Sequence, residues 1–191
     1  MARWIKGGWL IAAMATALAG AQDASHGKYF IEGFAGKSLI PFLGSEDPRS
    51  AHGLGFGMIR HTPTWLRTGK SPSDLWSQVY YHRSTSPGFR GRKPNGTEAI
   101  GLLTTVRYWA PVSSGIQAYF EIGAGLHYVD MRTEDIPSRL SSTPVVGLGL
   151  SFRTANGDIL VGARLLHISN AGFVGSNQGQ NQLLVTVGFR F

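Results

Sequence analysis

His167 and Ser169 stand two apart in the stretch RLLHISNAGFVGSNQGQN, residues 164 to 181. In an extended strand, side chains two apart project to the same side. The imidazole and the hydroxyl are therefore neighbours. A serine hydroxyl is a weak nucleophile until a base takes its proton, and histidine is the most common such base. The pair offers nucleophilic attack on a carbonyl, through a tetrahedral intermediate whose oxyanion needs hydrogen-bond donors. Asn170, Asn177 and the backbone N–H groups around Gly172 are the candidate donors. A second reading stands beside this one. A histidine and a serine at the edge of a lipid-facing stripe also mark a boundary where polar residues meet headgroups.

Four cations, Arg83, Arg90, Arg92 and Lys93, cluster in a predicted loop spanning 83–97. One reading is a solvated loop. The other is contact with anionic phosphates of a membrane lipid. Glu32 and Glu121 are expected to pair with interior arginines. The chain has no cysteine, which excludes a disulfide framework, a thiolate metal site and a cysteine nucleophile.

The elements that must position these groups show alternation with a period of two, the mark of strands. Residues 116 to 128 are the clearest case: Ile116, Ala118, Phe120, Ile122, Ala124, Leu126 and Tyr128 share one face. Gln117, Tyr119, Glu121, Gly123, Gly125 and His127 share the other. A tilted strand of about 9–11 residues crosses a bilayer. The pattern recurs over 53–58, 99–108, 146–153, 159–165 and 182–191, with weaker candidates of mixed faces near 27–36 and 74–82. Eight strands are thus expected. His167 and Ser169 continue the apolar stripe of Ile159, Val161, Ala163 and Leu165. Turns are expected at 110–115 and at 154–158, which holds an Asn-Gly signal. Longer polar loops are expected near 37–50, 83–97, 129–141 and 169–181. The 61–73 segment is longer than the short periplasmic turns of membrane barrels.

Charged residues make up 15% of the chain, against about 25% in soluble domains. A soluble barrel with a ligand cavity shows similar alternation, but its outer face should be rich in Lys, Glu, Asp and Thr. Here the polar face is rich in glycine, with isolated Arg107, Glu121, Arg153, Arg164 and Arg190. That composition suits the packed interior of a small membrane barrel, where charges must pair. A closed barrel crosses a membrane because all its backbone groups are paired. Residues 1–21 read as a signal peptide: Arg3 and Lys6 precede the short apolar run Gly8 to Ala19, and small residues follow, with cleavage near 19–21. The expectation is an all-β, eight-stranded antiparallel transmembrane barrel over 22–191.

The segment His167-x-Ser169-Asn170-Ala171, followed by Asn177-x-Gly179, resembles the motif of the lipid A 3-O-deacylase (PagL) family. Val185 to Phe191 also resembles the last strand of bacterial outer-membrane barrels, which ends in phenylalanine. The resemblance implies Ser169 as nucleophile and His167 as general base, with no metal or organic cofactor. It implies hydrolysis of the ester-linked 3-O acyl chain of lipid A at the outer membrane, with lipopolysaccharide as substrate and no nucleic-acid partner. The alternative is a non-catalytic outer-membrane barrel with a structural or adhesion role. One position departs from the family pattern. Twelve residues after the serine, where family members carry glutamate, this chain has Asn181. An asparagine can accept a hydrogen bond from the imidazole and hold its tautomer. A carboxylate from Asp130, Glu134 or Asp135 is the other candidate. On charge alone, a glutamate at 181 is expected to retain or raise turnover.

Overall fold

Residues alternate between the two faces of each strand, and the strands pair in sequence order until the sheet meets itself. The computed structural model describes residues 28–42, 46–67, 71–133, 135–172 and 178–191. The predicted signal peptide lies outside them. The strands are β1 (Tyr29–Ser38), β2 (Ser50–His61), β3 (Ser73–Ser86), β4 (Asn95–Ser113), β5 (Ile116–Val129), β6 (Leu140–Ser142), β7 (Val145–Thr154), β8 (Gly157–Ile168) and β9 (Gln180–Arg190). Every pairing is antiparallel, and the pairing of β1 with β9 closes the barrel. Among the described residues, no helix is long and apolar enough to cross a membrane.

The sixth barrel strand is interrupted. Ser142 pairs with Leu126, and Val145 pairs with Gly123, in one continuous register along β5. Pro144 between them has no N–H to give the ladder. β6 and β7 are therefore two pieces of a single strand, and the barrel has the eight strands expected. The sequence pattern placed its start at 146, whereas pairing begins at Leu140. The loop expected at 129–141 is correspondingly shorter.

The apolar stripes face outward. Leu148 and Val185 are 65% and 59% exposed, as lipid-facing side chains must be. The two mixed strands also resolve. In β1, Phe30, Glu32 and Phe34 point inward, and in β3 so do Trp76, Gln78, Tyr80 and His82. The lumen mixes aromatic and polar groups, so hydropathy alone did not separate its faces.

Glycine makes room for these aromatics. A Cβ at Gly57 would stand 2.6 Å from the Phe30 ring, and one at Gly101 would stand 2.1 Å from Tyr80. Large and small residues thus alternate across the lumen, as the narrow interior of a small barrel requires. At its centre lies a balanced ion network. Arg107 reaches Glu32 at 3.0 Å and Glu121 at 2.9 Å. Arg164 reaches the same two carboxylates at 2.6 and 2.7 Å. The Arg107 guanidinium also lies 3.8 Å from the centre of the Trp76 ring, a favourable cation–π contact. Glu32 and Glu121 pair with arginines as expected. Arg153 does not join them: it is exposed at the short-turn end. Arg190 pairs with Asp158 instead.

Two connections at the short-turn end, 114–115 and 155–156, are tight. The third holds a 3-10 turn at Thr64–Leu66. Tyr108 Oη donates to the Leu66 carbonyl at 3.0 Å, and Arg67 Nε to the Thr62 carbonyl at 2.9 Å. The described part of this longer segment, residues 62–67, is therefore folded against β4 rather than left open.

Candidate active site

His167 lies near the end of β8 that leads into the long loops, and it sits directly opposite Asn181 on β9. Both have outward parity. Their side chains meet: His167 Nδ1 lies 2.7 Å from Asn181 Oδ1. The amide oxygen is an acceptor only, so the proton sits on Nδ1 and the lone pair is on Nε2. That is the tautomer a general base needs. Asn181 is 0% exposed despite its outward parity. The loop between β1 and β2 covers it: Asn181 Nδ2 donates to the Phe42 carbonyl at 2.6 Å. The Leu39 N–H donates to the Asn181 carbonyl at 2.8 Å.

Ser169 follows two residues after His167 and keeps its parity. Ser142 of the interrupted strand fixes its backbone. Ser142 N–H donates to the Ser169 carbonyl at 2.7 Å, and the Ser169 N–H returns a bond at 3.0 Å. Ser142 Oγ donates to that carbonyl as well, at 3.0 Å. The next residues turn sharply. Ala171 and Gly172 both have positive φ, at 54° and 78°, as a primed turn demands. Gly172 N–H donates to Asn170 Oδ1 at 2.9 Å. This N–H was a candidate oxyanion donor. The turn already engages it, because its amide points back at the Asn170 side chain. Asn177 lies outside the described residues.

Gly179 approaches the imidazole from the far side of the loop. A Cβ there would stand 2.8 Å from His167 Cε1, and its φ of 69° suits glycine. Its N–H donates to the Asp135 carbonyl at 3.1 Å, so the loop after β5 sets its position. We expect Gly179→Ala to push the imidazole aside and lower kcat by about a hundredfold while the barrel still folds. Turnover of purified lipid A, with heat-modifiable gel mobility as the folding check, measures this. A rate near wild type would show that the imidazole does not depend on this contact.

Two of the three carboxylates considered as substitutes for the missing glutamate, Asp130 and Asp135, have partners away from His167. Asp130 accepts the Glu98 N–H at 2.9 Å. Asp135 Oδ2 accepts the Asp47 N–H at 3.1 Å, and Arg92 lies 3.6 Å from its Oδ1. Burial raises the Asp135 carboxyl above its ordinary value, against the opposing Asp47 N–H. Asp47 in turn binds Arg49 at 2.7 Å and accepts from Ser86 Oγ. These contacts tie the loops together and support the site from behind. Glu134 lies outside the described residues.

The four clustered cations do not converge. Arg83 is on strand β3, not in a loop, because β3 runs to Ser86. It faces outward 4.0 Å from Glu98. Arg90 pairs with Glu46 at 2.6 Å, Arg92 with Asp135, and Lys93 is exposed. The sequence reading missed the Phe42 carbonyl and Ser142. A main-chain carbonyl leaves no side-chain signal, and Ser142 lay between the loop expected at 129–141 and the strand expected from 146.

A profile of the lipid A 3-O-deacylase (PagL) family matches residues 53–190. The chain belongs to this family. It is an outer-membrane ester hydrolase of lipid A, which sets aside the non-catalytic barrel reading. The fold agrees with a crystal structure described as the outer membrane enzyme PagL, with a TM-score of 0.60 at 17% identity. That alignment covers 85% of this chain and 99% of the other. Neisserial surface protein A is also similar, with a TM-score of 0.54 at 16% identity, over 89% of this chain and 100% of that one. At such identities the two structures bear on the fold alone. No curated protein sequence matches the chain.

Proposed function

We propose that this deacylase works through a Ser169–His167 dyad oriented by Asn181. The hydrogen bond from His167 Nδ1 to Asn181 Oδ1 carries the reading, because it leaves Nε2 basic on the side chain two residues from the serine. In this mechanism Ser169 Oγ attacks the carbonyl of the acyl ester at the 3-position of lipid A, and His167 takes the hydroxyl proton. The tetrahedral intermediate collapses, the bond to the sugar oxygen breaks, and His167 gives its proton to that oxygen, which leaves as a hydroxyl. Water, deprotonated by His167, then attacks the acyl-serine and releases a 3-hydroxy fatty acid. Asn170 Nδ2 and Asn177 are the candidate oxyanion donors, and Gly172 serves by forming the turn.

An outward-facing site suits a lipid substrate, because the ester bond reaches it without leaving the membrane. Leu183 and Val185 beside Asn181 are exposed and apolar, so they offer a wall along which an acyl chain lies. Arg83 is the cation of the original four best placed for a lipid phosphate, since it stands on the outer face of β3. Export through a cleaved signal peptide at 1–21 belongs to the same proposal. Mass spectrometry of lipid A from cells with and without the protein tests the whole. The expected change is loss of one ester-linked 3-hydroxyacyl chain. Identical spectra, or loss of a chain from another position, with folded protein in the outer membrane, would overturn the assignment.

A further inference from the structure

The Asn181 side chain sits between two partners with opposite demands. His167 Nδ1 carries a proton and needs an acceptor, at 2.7 Å. The Phe42 carbonyl needs a donor, at 2.6 Å. Only one orientation of the amide satisfies both, with Oδ1 toward the imidazole and Nδ2 toward the loop. The Leu39 N–H holds the Asn181 carbonyl, so one loop grips both the main chain and the side chain of this residue. Asn181 is fully buried, so no bulk water can relieve a mismatch there.

A carboxylate in this place is an acceptor with no proton to give. One oxygen would serve His167. The other would face the Phe42 carbonyl, acceptor against acceptor, in a buried setting where such a pair is costly. We propose that the Phe42 carbonyl selects an amide over a carboxylate at position 181, which makes the main chain of the β1–β2 loop a positioning element for the catalytic histidine. The inference rests on the dyad reading above. It reverses the expectation from charge alone, in which glutamate at 181 raises turnover. Phe42, Asn181 and His167 form one hydrogen-bonded chain, so docking of the loop and orientation of the imidazole are a single event.

Asn181→Asp is the sharpest test, because it keeps the shape and turns one donor into an acceptor. Purified, folded enzyme in detergent is assayed on lipid A near pH 8, with kcat and KM measured separately. The expected result is a fall in kcat of roughly tenfold or more with KM little changed, because the contact acts on the imidazole and not on the lipid. Chymotrypsin should also cut after Phe42 faster than in wild type, because the loop loses its anchor. Asn181→Glu should behave in the same way. A carboxylate variant with kcat at or above wild type, and a loop equally protected, overturns the proposal. Asn181→Ala provides a second arm should the acidic variants fail to assemble. It must lower kcat and expose the loop, and unchanged cleavage after Phe42 in that variant also overturns the proposal. Ser169→Ala separates the two levels: it must be inactive with the loop still protected. Activity in Ser169→Ala refutes the dyad, whereas an inactive Ser169→Ala beside a fully active Asn181→Asp refutes only the selection by Phe42.

Discussion

Ser169→Ala and His167→Ala should each lower deacylation of lipid A by about a thousandfold or more, with the barrel intact. In the proposed dyad, the first removes the attacking oxygen. The second leaves the hydroxyl without a base, although the serine stays anchored through Ser142. Neither change disturbs the lumen, because both residues keep outward parity. The double variant should be no slower than either single one, since residues that act as a unit are not additive. Single-turnover assays, with heat-modifiable mobility to confirm folding, measure the effect. A residual rate near wild type in either folded variant would rule out this dyad.

Glu121→Gln should produce the largest loss of stability. Glu121 is 1% exposed and holds both Arg107 and Arg164. Without its charge, two guanidiniums share Glu32 alone, and the lumen carries an uncompensated positive charge. Breaking a buried ion pair from one side costs about 3–5 kcal/mol. The urea midpoint of the refolded barrel should fall accordingly, and the heat-modifiable band should convert at lower temperature. Combining Glu121→Gln with Arg164→Met restores the charge balance and should recover part of the loss. An unchanged midpoint in the single variant would mean that water reaches the network and screens it. Catalysis should be affected less than stability, because the network lies inside the barrel and the dyad outside.

Much of this molecule follows from its sequence alone. Alternation from Ile116 to Tyr128 requires a strand with one apolar face, whatever surrounds it. Repeated in six segments beside two of mixed faces, with few charges and no long apolar run, it points to a closed membrane barrel, because only closure pairs every edge in a membrane. Strand parity likewise places His167, Ser169 and Asn181 on one face. Other features arise only when distant segments meet. The Thr143–Pro144 break does not end a strand, because β5 continues the register on both sides. The two faces of β3 became distinct only once the lumen was built, since Trp76, Gln78 and His82 belong together only as barrel filling.

Tertiary structure alone also decided what surrounds Asn181. Its parity promised a place on the lipid face, yet it is fully buried. The reason is a loop 139 residues away in sequence, whose Phe42 carbonyl accepts a hydrogen bond from the Asn181 amide. Backbone carbonyls are identical at every residue, so no residue type announces such a contact. Local sequence determines which side chains share a face. Which main-chain groups come to rest against them depends on how the loops close over the barrel.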